Sequence, residues 1–112
     1  MSSLRLSDLS RARQSLIRLC QSVVYGQLLG INIEHGNPVL NPLPTALIDL
    51  KLDAADDPRP ELGLTDFELR EEIVRLMARL DELQNVRIER IEVRAGIPRR
   101  VIFEFPFTER PR

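Results

Sequence analysis

Two stretches sixty residues apart decide the fold: Ile31-Asn-Ile33-Glu-His35-Gly36-Asn-Pro38 and Ile91-Glu-Val93-Arg-Ala95-Gly96-Ile-Pro98. Each alternates apolar and polar residues, the pattern of a strand with one buried face, and then meets a Gly-bearing turn. Both read as β-hairpin tips. In each the apolar phase shifts at the same upstream point, from Leu28 to Ile31 and from Ile88 to Ile91, as a β-bulge would shift it.

Working upstream, each hairpin follows an amphipathic segment. Between Ser7 and Tyr25, Leu9, Ala12, Leu16, Leu19, Cys20 and Val23 recur at helical steps, with Ser7 or Asp8 as the expected cap. In the second half, Thr65-Asp-Phe-Glu68 has the form of a capping box, which places a helix start at Asp66. Leu69, Ile73, Leu76, Leu80 and Leu83 then form a seam that Val74 and Met77 widen. At the same offset this seam falls on Leu9, Arg13, Leu16, Cys20 and Val23. The sequence therefore predicts an α+β fold of two α-β-β units, about 7–52 and 65–107, arising from an internal duplication. A mainly antiparallel sheet carries both helices on one face, and a polar outer face holds Asn32, Glu34, Asp49, Lys51, Arg90, Glu92 and Arg94.

Downstream of the first hairpin, Pro42 and Pro44 interrupt the return strand, because neither has an amide to donate. A further alternating run puts Ala46, Ile48, Leu50 and Leu52 on one face. Residues 53–64 then read as an acidic, proline-bearing linker within a single domain. Its Asp53, Asp56 and Asp57 lack the Gly and terminal Glu of a calcium loop. The stretch from Tyr25-Gly26 through Gly36-Asn-Pro38-Val39, Pro42-Leu-Pro44 and Leu50-Lys51-Leu52 resembles small uncharacterised bacterial proteins with an aromatic-Gly start, a G-x-P-V turn and a P-x-P step before a K-L ending. That resemblance covers Leu16 to Leu52, implies the hairpin, and assigns no catalytic or binding residue.

The chain has 112 residues, 43% hydrophobic and 29% charged, with Lys+Arg 16 against Asp+Glu 17, which fits one globular domain and excludes whole-chain disorder. Aromatics are only 4%, with no Trp, so stacking on bases, sugars or flavins has little to work with. Cys20 has no second cysteine to pair with and reads as a buried thiol, and His35 as a turn residue tolerant of positive φ. Tyr25 reads as a half-buried anchor at the helix end. No phosphate loop, nucleophile elbow or C-x-x-C occurs, and neither a membrane span nor a signal peptide is legible. The expectation is a cytoplasmic, non-enzymatic protein without cofactor or metal.

Two functional readings follow. Association with a second copy or another protein would use the seam Leu69, Ile73, Leu76, Met77, Leu80 and Leu83, which packs either on its own domain or on a partner. Alternatively, Arg90, Arg94, Arg99 and Arg100 of the second hairpin would contact nucleic acid or another anion. Glu89, Glu92 and Glu104 interleave with these arginines, so cross-strand Arg–Glu pairs explain the pattern with fewer assumptions. Arg13, on the packing face of the net-positive first helix, is expected to find Glu71, Glu72 or another carboxylate of the net-negative second one.

Overall fold

A computed structural model describes residues 4–53 and 63–105. The linker reading therefore lies largely outside the described residues, as does the chain after Phe105. Helix α1 spans Arg11–Val23 and is followed by β1 (Tyr25–Glu34), β2 (Asn37–Val39) and β3 (Thr45–Ile48). Helix α2 spans Glu71–Leu83 and is followed by β4 (Val86–Arg94) and β5 (Ile97–Glu104). The five strands form one antiparallel sheet ordered β2-β1-β4-β5, with β3 continuing alongside β1 beyond β2. The fold is α+β. No helix among the described residues is long and apolar enough to cross a membrane.

The sheet is built around the pairing of β1 with β4. Leu28 lies opposite Ile91 and Ile31 opposite Ile88, so exchanging the two halves at the sixty-residue offset maps this pairing onto itself. The phase shift read in the sequence is present, because all four of these residues are buried. Backbone geometry repeats at the same spacing. Val24 and Gln84 close their helices at φ 65 and 60, His35 and Ala95 turn at φ 53 and 54, and Gly36 and Gly96 follow at φ 77 and 75. Each hairpin tip is tied to the helix end of the other half: the Gly36 amide donates to the Gln84 carbonyl at 2.7 Å, and the Gly96 amide to the Val24 carbonyl at 2.8 Å.

One core lies between the helices and the sheet. It holds Leu16, Ile17, Cys20 and Val23 of α1, Ile73, Leu76, Met77 and Leu80 of α2, Leu28, Ile31 and Ile33 of β1, and Ile88, Ile91 and Val93 of β4. Burial pushes the Cys20 thiol up to about 12 and leaves it protonated. Arg13 finds a carboxylate of α2, Asp81, at 2.6 Å, while its Nε donates to the Gly36 carbonyl. This ties the helices together beside the first hairpin tip.

Both helix starts differ from the sequence reading. Helix α1 begins at Arg11, and Ser10 caps it by accepting from the Arg13 amide; Ser7 and Asp8 belong to a preceding 3-10 turn. Helix α2 begins at Glu71 after an extended Arg70, so Thr65 and Glu68 form no capping box. The cause is tertiary. The Leu6 amide donates to the Phe67 carbonyl and the Leu69 amide to the Leu4 carbonyl, which holds the two pre-helix segments extended against each other. Phe67 and Leu69 are buried by that bridge, an apolar gain larger than the roughly 1 kcal/mol of a helix cap.

Asp66 is the polar clasp of the same bridge, accepting from Arg5 Nε and from both the amide and hydroxyl of Ser7. These contacts stabilise its charged form, and its pKa falls from 3.8 to about 2. A carboxyl lowered on folding adds stability above its unfolded value and loses it as pH falls towards the folded one. Thermal melts should therefore show an acid limb between about pH 4 and pH 2 that Asp66→Asn flattens; an unchanged limb would assign the acid sensitivity to other groups.

Candidate interaction surface

The seam Leu69, Ile73, Leu76, Met77 and Leu80 is buried within the chain, and Leu83 is half-buried at its end. Of the two coverings the sequence left open for this face, the chain's own fold supplies one, so the five buried residues present no free apolar surface and Leu83 only its outer part. The apolar surface lies elsewhere. Between Val39 and Leu52, Leu40 packs against the core, while the other large apolar side chains are exposed, from 37% at Val39 to 98% at Leu52, with Leu43, Leu47, Ile48 and Leu50 between. All four residues of β3 are exposed. The alternation of Ala46, Ile48, Leu50 and Leu52 thus marks an extended segment and does not mark a buried face.

Local chemistry explains why this segment stays outside. In the second half, β5 runs unbroken from Ile97 to Glu104, and its Val101 and Phe103 pack against the core. In the first half the corresponding return is cut by Asn41-Pro42-Leu-Pro44, with a cis peptide at Pro42. The chain rejoins β1 as β3, with Gly26 opposite Ile48 and Leu29 opposite Thr45. The Asp49 amide donates to the Tyr25 carbonyl at 2.8 Å, so residues 45, 47 and 49 direct their backbone groups inward. Antiparallel alternation then turns the amides and carbonyls of Ala46 and Ile48 towards the outer edge, which no strand covers among the described residues.

The basic residues of the second hairpin divide. Arg94, Arg99 and Arg100 line an open concavity of about 800 Å³ at the end of the sheet, together with Tyr25, Asp49 and Glu92. Arg99 is ion-paired with Glu72 of α2, because it is the extra residue of a bulge where Glu92 pairs with Arg100 and Val93 with Pro98. Arg100 lies 3.6 Å from Glu92, and Arg87 the same distance from Glu104, which gives the cross-strand pairs that the interleaved charges imply. Arg90 lies between Leu29 and Ile102 in the sheet, half-buried, with a buried Nε that has no hydrogen bond. Among the described residues, Arg94 forms no ion pair.

Tyr25 is half-buried with the Lys51 ammonium 5.4 Å from its ring centre, and His35 is an exposed turn residue. Among the described residues no group of three or more His, Cys, Asp or Glu is placed to hold a metal ion. Comparison of the chain with known protein families, with curated proteins and with solved structures gives no match.

Two outcomes check this geometry. Gly26 sits at φ 152, and a Cβ there would lie 1.9 Å from the Leu47 carbonyl oxygen. Gly26→Ala should cost about 2 kcal/mol and speed hydrogen exchange across residues 45–49 before the rest of the sheet. Cys20 should resist thiol reagents until the protein unfolds; labelling in the native state would contradict its burial.

Proposed function

We propose that the chain is a non-enzymatic protein-interaction module whose contact surface is the edge segment Val39–Leu52. The observation that carries this reading is the exposed run of Leu43, Leu47, Ile48, Leu50 and Leu52 beside a strand edge with outward backbone groups. Single exposed apolar residues are ordinary, whereas an apolar run along an open edge is the surface a partner strand or apolar face would cover.

The anion reading has less behind it. Arg99 and Arg100 are engaged by Glu72 and Glu92, which leaves Arg94 as the exposed hairpin arginine without an ion pair among the described residues. Arg90 also lacks an ion pair but is half-buried within the sheet, and a single exposed unpaired arginine among the described hairpin residues supports about one phosphate contact, too few for the steep salt dependence of a nucleic-acid groove binder.

Site-specific photo-crosslinking in the producing cell tests the interaction reading. A photoreactive residue at Leu47 or Leu50 should give a discrete product, identified by mass spectrometry as this chain or a defined second protein. The same residue at Arg75, exposed on the far side of α2, should give none. Absence of any product at Leu47 and Leu50, or equal yields at all three positions, would overturn it.

A further inference from the structure

We infer that the occupant of the β3 edge is a second copy of this chain, paired antiparallel about a two-fold axis at Leu50. The inference rests on the interaction reading and names the partner for that surface. It follows from asking which registers the sequence Pro44-Thr-Ala-Leu47-Ile-Asp49-Leu50-Lys51-Leu52 allows against itself when the even-numbered residues present their backbone groups outward.

Chemistry removes the alternatives one at a time. Registers centred on Ala46 or Leu47 place Pro44 at a position that must donate an amide proton, which proline lacks. Centring on Ile48 again puts Pro44 where an amide must donate, opposite Leu52, and leaves Asp49 against Leu47; centring on Asp49 sets two carboxylates face to face, and centring on Lys51 two ammonium groups. A centre at Leu50 sets Leu50 against Leu50, Ile48 against Leu52 and Asp49 against Lys51, twice over by symmetry, with Leu47 meeting Asp53 only at the ends of the contact. Opposite charges then meet on both sides of an apolar pair.

The structure is prepared for this arrangement on three counts. Residues 45–53 are all exposed, so no packed element has to leave. The inward bonding of β3 continues to Asp49, one residue short of the proposed axis. The charge that would meet Asp49 is held only loosely, since Lys51 rests over the Tyr25 ring with Nζ 5.4 Å from its centre and forms no ion pair among the described residues. Docking straightens the bend at Leu52, extends β3 through it, and partly covers Leu50 and Leu52, which are 70% and 98% exposed in a single copy.

A charge-swap experiment read by sedimentation over a rising concentration series decides the matter. The wild-type chain should dimerise. Asp49→Lys and Lys51→Asp each replace two attractive cross-strand pairs with two repulsive ones and should each weaken association by about tenfold or more. An equimolar mixture of the two variants should restore it, because each then meets its complement. Both positions are exposed, and an unchanged far-ultraviolet circular dichroism spectrum will show that the variants fold, independently of the loss of association that lowers their melting temperature. As a register check, Asp49→Cys mixed with Lys51→Cys should form a disulfide heterodimer on oxidation, because 49 and 51 face each other as a non-hydrogen-bonded pair, and Leu47→Cys should form none, with buried Cys20 as a silent background.

Wild-type monomer at every concentration overturns the second-copy assignment, as does a dimer indifferent to the single swaps or a mixture that fails to re-associate. If the chain is monomeric while the crosslinks at Leu47 and Leu50 identify another protein, only this inference fails and the interaction module stands. If neither association nor crosslinking is seen, both readings fall.

Discussion

The antiparallel contact of β1 with β4 carries the rest of the structure. A helix followed by a two-stranded ribbon exposes one apolar face of each and has too little depth to bury either. Joining two such units through their first strands makes a continuous sheet on which Leu28, Ile31, Ile88 and Ile91 form a central apolar patch for both helices. Each helix closes its last turn through its own cap residue, Val24 donating to the Cys20 carbonyl and Gln84 to the Leu80 carbonyl. The carbonyls of those cap residues are in turn taken by the other half, Val24 by the Gly96 amide and Gln84 by the Gly36 amide. These reciprocal bonds reinforce the join at its ends, so the two halves are expected to fold as one cooperative unit.

Against this symmetry the two halves diverge in one place, and the divergence produces the surface. The second half returns along β4 in a single strand, and its small bulges at Glu89 and Arg99 keep Val101 and Phe103 over the core. The first half makes the same return with Pro42 and Pro44 in the way. Without those amides the ladder breaks after Val39, the chain loops out through Leu43, and it rejoins β1 at Thr45 as a strand whose residues are all exposed. Leu47 and Ile48 consequently stay apolar in a place where the fold no longer has a use for them.

Legibility in the sequence follows the range of the forces involved. The helix-hairpin repeat, the turns at His35 and Ala95, the cross-strand Arg–Glu pairs and the search of Arg13 for a carboxylate are set by local geometry or by neighbours across one ladder, and they could be read from spacing. The helix starts could not, because Thr65 and Glu68 satisfy the local rule while Phe67 and Leu69 obey a distant one, the bridge to residues 4–6. Alternation in Ala46–Leu52 likewise predicts an extended chain but does not reveal whether anything lies over it. Arg99 was legible as a strand residue only if the strand were regular. The bulge turns it towards Glu72, so of the four hairpin arginines Arg99 and Arg100 are paired, while Arg90, half-buried in the sheet, and Arg94, exposed, form no ion pair among the described residues.

The placement of charge then bears on how an apolar edge can be tolerated at all. An open strand edge is a hazard, since it can recruit copy after copy. The β5 edge is guarded by Arg99, Arg100 and Glu104, and on the β3 side the approach is limited by Pro44 at one end and by Asp49 and Lys51 at the other. Unlike charges two residues apart on either side of Leu50 do not forbid pairing. Together with Pro44 they disfavour the other self-registers, and the proposed two-fold contact at Leu50 would be closed, because it pairs the same surface of both copies. The proline break exposes the segment, and under that proposal the charge pair would order its docking.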